Sequence, residues 1–140
     1  MKERFRFLDI ATADMAFEAF GKTLEQAFAN AMIALEEIIT DTDKIKEKIE
    51  KNIELEAENE NALLFDFLSE LLFIFDTEQL IFKKADIKIK KNKKLKLKAK
   101  LTGDYFGNKE VRGDVKAITY HRMKVEKKDN MWVVRVIVDT

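Results

Sequence analysis

The chain predicts an α+β fold: a single domain in which two main helices pack on a largely antiparallel sheet. Three patterns point there. Residues 24–39 repeat their apolar positions at helical spacing, and 60–76 read as a helix apolar almost all round behind an Asn59 cap. Residues 83–101 and 131–139 instead alternate apolar and polar positions, as half-buried strands do. No repeat or low-complexity linker divides the sequence, and 140 residues suit one core.

Residues 4–8 alternate weakly and read as a first strand; 15–20 read as a second, closed by Gly21. Thr23-Leu24-Glu25-Gln26 is a capping box, in which the threonine hydroxyl accepts from the Gln26 N–H and the glutamine side chain reaches back. Leu24, Ala27, Phe28, Ala31, Met32, Leu35, Ile38 and Ile39 then share one helical face, and the helix should stop near Thr40. A strand with a charged outer face is expected from about Glu50, where alternation is strictest. Asn59 suits the N-cap of the second helix. That helix is apolar almost all round except for Asp66, Ser69 and Glu70, which fits burial on most sides or a surface for a partner. Residues 80–82 and 86–91 read as a strand that forms a hairpin with 95–101, turning at Lys91-Asn92-Lys93-Lys94, and 115–126 and 131–139 as another turning at 127–130. Gly103, Gly107 and Gly113 mark a loop between the hairpins.

Composition removes several classes of function. With 26 basic and 26 acidic residues, net charge advertises neither nucleic acid, DNA included, nor a membrane. The lack of cysteine excludes disulfides and thiolate metal sites and fits a cytoplasmic protein. The N-terminal residues form no signal peptide, and the longest apolar run, 62–75, is too short to span a bilayer.

The residues that can carry chemistry are few. Asp139 and Thr140 close the last strand-like run, so a side-chain carboxylate stands beside an α-carboxylate and the two repel. If the first turn brings Asp14 to the same place, three carboxylates converge, an all-oxygen set suited to a hard cation such as calcium or magnesium. Spacing alone favours the simpler arrangement, in which Asp14 caps a local turn. His121, beside Tyr120, is the single histidine; it can serve as a base or touch a partner, but cannot build a histidine zinc site. Nucleophile motifs, glycine-rich phosphate loops and nucleotide fingerprints are missing, so the expectation is a protein that is not an enzyme. Ten lysines lie between residues 83 and 100; a solvated sheet face is the plainer reading, and contact with an RNA backbone the sharper one.

Together these segments resemble the archease family. The likeness runs through Thr12-Ala13-Asp14, Gly21-Lys22-Thr23-Leu24-Glu25-Gln26-Ala27-Phe28 and Leu71-Leu72-Phe73-Ile74-Phe75-Asp76-Thr77-Glu78. It continues in Val115-Lys116-Ala117-Ile118-Thr119-Tyr120-His121-Arg122-Met123 and closes on Val138-Asp139-Thr140. Ala11 stands where the family usually has histidine, and Ala16 where it has glycine. The resemblance implies a cytoplasmic, non-enzymatic activator of the GTP-dependent RtcB-type RNA ligase of tRNA splicing. That activator promotes ligase guanylylation and multiple turnover through a metal site, usually calcium, which maps onto Asp14, Asp139 and Thr140. Tyr120 and His121 are candidate ligase contacts, and any RNA contact is expected to be indirect. The alternatives are a chaperone or RNA-binding adaptor for RNA-processing proteins, and a metal-dependent hydrolase built on the same aspartates.

Overall fold

Seven strands and two helices are built from residues 3–9 and 14–140, which the computed structural model describes. In chain order they are β1 (Phe5–Leu8), β2 (Met15–Gly21), α1 (Leu24–Ile39), β3 (Ile49–Ala57) and α2 (Glu60–Glu78). These are followed by β4 (Leu80–Lys91), β5 (Leu95–Tyr105), β6 (Ala117–Lys128) and β7 (Met131–Asp139). A 3-10 turn, Thr42–Lys44, follows α1. The α+β class and the antiparallel pairing are as the sequence indicates, but the strands divide between two sheets. One has the order β1-β2-β7-β6 and the other β3-β5-β4, all antiparallel.

The caps set the helices. Thr23 Oγ1 accepts from the Gln26 N–H at 3.0 Å, while the Gln26 side chain reaches back to the N–H of Lys22 at 2.7 Å. Asn59 caps α2 by accepting from the Ala62 N–H at 2.9 Å. Gln79, left-handed at φ 59°, stops α2 two residues later than expected. Asp129 and Asn130, with φ of 51° and 63°, turn the β6–β7 hairpin in the handedness that matches strand twist.

Helix α1 is covered on more than one face. It packs against β2 of the first sheet and β4 of the second, so Asn30, Ala34 and Glu36 are buried as well as the predicted apolar stripe. Asn30 is satisfied by donating to the Phe20 carbonyl at 2.7 Å. Glu36 accepts from the Phe82 N–H at 2.8 Å, inside the core. Burial pushes its carboxyl up to about 8, against the smaller opposite effect of that hydrogen bond, so Glu36 sits protonated at neutral pH. Helix α2 buries Leu63, Leu64, Phe67, Leu68, Leu71, Leu72 and Ile74, and leaves Phe73 exposed.

Gly103 belongs to β5 rather than to a loop. The β4–β5 register slips between Phe82 and Lys84, and the slip drives the Ile81 carbonyl toward Gly103. A Cβ there would lie 1.9 Å from the Ile81 oxygen, so the glycine serves close approach of two backbones. The expected loop is shorter, and β6 begins at Ala117 instead of residue 115.

On the outer face of the first sheet, Glu18 lies directly between Arg6 and Arg135 on the neighbouring strands. It accepts from Arg6 at 2.8 Å and from Arg135 at 3.0 Å. Burial pushes its carboxyl up, but the two guanidiniums outweigh that and hold it below the ordinary carboxylate value. Three strands are thereby tied into a stiff plate.

Candidate functional site

The end of that plate carries the predicted carboxylates. Met15 of β2 pairs with Val138 of β7, so Asp14 and Asp139 each stand one residue beyond the same rung. Asp139 in turn pairs with Ala117 of β6, and its carbonyl accepts from the Lys116 N–H at 2.8 Å. The chain's early turn and its last strand therefore meet at one sheet end, by register. Asp14 and Thr140 are half-buried and Asp139 is exposed. Ala11, Thr12 and Ala13, which belong to the same sequence run, lie outside the described residues.

Thr140 lines a cavity of about 430 Å³ together with Phe7, Met15, Ile38, Glu37, Arg112 and Gly113. Phe7 and Met15 are partly open to solvent there, 41% and 36%, so the cavity mouth is apolar on one side. Arg112 lines it too, its charge matched by Glu37 of the same lining. Its guanidinium donates to Glu37 at 2.6 Å, and its backbone N–H donates to the Ile39 carbonyl at 2.8 Å. Burial raises the Glu37 carboxyl, but the Thr42 hydroxyl and N–H, with Arg112, hold it below its ordinary value. Thr40 Oγ1 donates to the Glu110 carbonyl at 2.6 Å and completes the anchoring of this loop on the end of α1.

Arg112 was not legible as a site neighbour. It sits in the glycine-containing loop, and only the hydrogen bonds to α1 bring it beside Thr140. The one available signal was a lone arginine in a segment otherwise free of helix or strand pattern.

Tyr120 and His121 fall in an irregularity of β6, where four residues separate the paired positions Thr119 and Lys124. Arg122 takes φ 64° within it, and Met123 returns to the core. Tyr120 is 49% exposed and meets Phe65 of α2 edge-on, ring centroids 5.5 Å apart. His121 is exposed. Both lie a few residues along β6 from Ala117, opposite Val136 in the body of β7.

Fold and site define a two-sheet α+β domain with carboxylates and a cavity at one sheet end. The sequence profile of the Archease protein family (MTH1598/TM1083) matches residues 5–140. The chain belongs to the archease family. It is 41% identical to protein archease of Pyrococcus abyssi, over 91% of this chain and 93% of that one. With protein archease of Methanothermobacter thermautotrophicus it shares 40% identity, over 96% and 97%. Among solved structures, protein 1598 of Methanobacterium thermoautotrophicum superposes with a TM-score of 0.86 at 39% identity, covering 98% of this chain and 99% of that one. An archease described as a possible chaperone, from Thermotoga maritima, shares the fold at a TM-score of 0.65 and 24% identity, over 96% and 97%.

Proposed function

We propose that this protein activates a GTP-dependent RNA ligase of the RtcB type, promoting ligase guanylylation and repeated turnover rather than catalysing a reaction itself. The observation that carries the reading is the Met15–Val138 rung, which sets Asp14 and Asp139 at one end of a stiff sheet. The ligase as partner is what the resemblance to archeases implies.

Among the described residues no group of three or more His, Cys, Asp or Glu side chains is arranged to hold a metal ion. A site here therefore needs main-chain oxygens from Thr140 beside the two aspartates. An all-oxygen donor set of that kind fits calcium or magnesium. A cation bound there supplies positive charge against which phosphate oxygens are neutralised. The residues do the rest by placement: Asp14 and Asp139 present fixed carboxylates, the Arg6–Glu18–Arg135 row keeps the strands from shearing, and Tyr120 and His121 offer a contact surface further along β6.

Single-turnover guanylylation of the ligase from the same organism tests the proposal. Adding this protein should raise the rate, and Asp14→Ala or Asp139→Ala should remove most of the increase while leaving the thermal midpoint nearly unchanged. Equal stimulation by both folded variants would take the carboxylates out of the mechanism.

A further inference from the structure

We propose that the exposed face of the second sheet is a docking surface for the phosphate backbone of a nucleic acid, separate from the carboxylate end of the first sheet. Strand alternation puts Lys84, Lys88 and Lys90 of β4 on this face with Lys96, Lys98 and Lys100 of β5, all exposed. The register makes the arrangement costly. Lys88 stands directly opposite Lys98, and Lys90 directly opposite Lys96, and like charges across a rung destabilise a sheet.

The other edge strand relieves only half of this. On β3, Glu56 pairs with Lys96 at 3.6 Å, Glu54 with Lys98 at 4.0 Å and Glu50 with Lys100 at 3.9 Å. Among the described residues no acid comes within 4.0 Å of Lys84, Lys88 or Lys90 on the opposite edge. The face is thus graded from an acid-neutralised edge at β3 to a β4 edge that is predominantly cationic, where Asp86 stands opposite Lys100 and Glu25 accepts from the Ile89 N–H, while Lys88 and Lys90 have no ion pair within 4.0 Å among the described residues. Beyond it the hairpin adds Lys91 and Lys93.

The ligand follows from what the edge has and lacks. Same-face residues two apart on a strand are separated by about 6.7 Å, comparable to successive phosphates along a nucleic-acid strand. The face bears no aromatic side chain and no arginine, so it offers neither a stacking platform nor bidentate base reading. Point charges in a row recognise a backbone without regard to sequence. A nucleic-acid strand carries a charge at every step, whereas a polypeptide does so only along an uninterrupted acidic run, which makes the nucleic acid the better match.

The test is fluorescence anisotropy with labelled mixed-sequence RNA of about 20 nucleotides, single-stranded and duplex, with polyglutamate of similar length as competitor. Three neutralised phosphates give a slope of log K against log salt of about −2 for the single strand and −3 for the duplex. The double variant Lys88→Glu/Lys90→Glu should weaken binding by about tenfold or more at low salt, and Lys88→Gln/Lys90→Gln should flatten the slope by one to two. Glu54→Gln/Glu56→Gln, which releases two β5 lysines, should tighten binding. Undiminished binding by the charge-reversed variant with its thermal midpoint intact would overturn the proposal. So would the absence of binding at low salt, a slope near zero, or equal competition by polyglutamate.

Discussion

Gly103→Ala is expected to cost on the order of 4 kcal/mol or more and to lower the thermal midpoint by about 10 °C or more. The added methyl would sit 1.9 Å from the Ile81 oxygen and 2.7 Å from the Phe82 Cα, both backbone atoms. A flexible side chain can swing away from such a clash, but a carbonyl held in a three-stranded ladder cannot. The strand is pinned from both sides. Gly103 pairs with Ile49 of β3 and Phe82 of β4, and its carbonyl accepts from the Lys48 N–H at 2.8 Å. Moving it would also disturb the Phe82 N–H that satisfies buried Glu36. Gly107→Ala is the matching control. Gly107 is exposed at φ 60° with the nearest non-neighbouring atom 3.9 Å from its added Cβ, so only the left-handed backbone resists. That costs about 1 kcal/mol. Chemical denaturation of the two variants separates the effects, and equal losses would contradict the close-approach account.

Glu36 should make the protein lose stability as pH rises, the reverse of ordinary salt-bridged carboxylates. Its carboxyl is protonated in the fold up to about 8, while the unfolded chain releases that proton near 4.5. Between those values the folded state binds the extra proton, so each unit of rising pH favours unfolding, by on the order of 1 kcal/mol. The contribution is complete below about 4.5 and is spent once pH passes about 8. Glu36→Gln keeps an oxygen for the Phe82 N–H and removes the titration. The variant should therefore show a much flatter pH dependence from 5 to 8 and exceed the wild type in thermal midpoint at pH 8.5. Parallel curves for the two proteins would show that Glu36 does not titrate in this window.

The sequence readings succeeded where the signal is local. The Thr23 box, the Asn59 cap and the β6–β7 turn each depend on residues within four positions of one another, and each is present in the structure. Failures came from contacts distant in sequence. Alternation marks strands but not partners, so it could not separate β3, β4 and β5 into their own sheet. Gly103 carried a turn signal because glycine also suits turns, and only the Ile81 carbonyl across the ladder reveals its other use. Glu36 falls outside the apolar stripe predicted for the first helix, and it is packing of that helix against the second sheet that buries it. The pairing of Asp14 with Asp139 was conceivable from spacing, yet it became a specific expectation only through family resemblance. The register then set both beyond one rung.

Calorimetric titration of calcium, repeated with magnesium, bears most directly on the claim that the two strand ends make one cation site. The wild-type chain should bind one ion per molecule. Asp14→Asn and Asp139→Asn should each weaken binding by about tenfold or more while their circular dichroism and melting stay close to the parent. Binding unchanged in either variant, or no binding of either ion by the wild type, would contradict the claim.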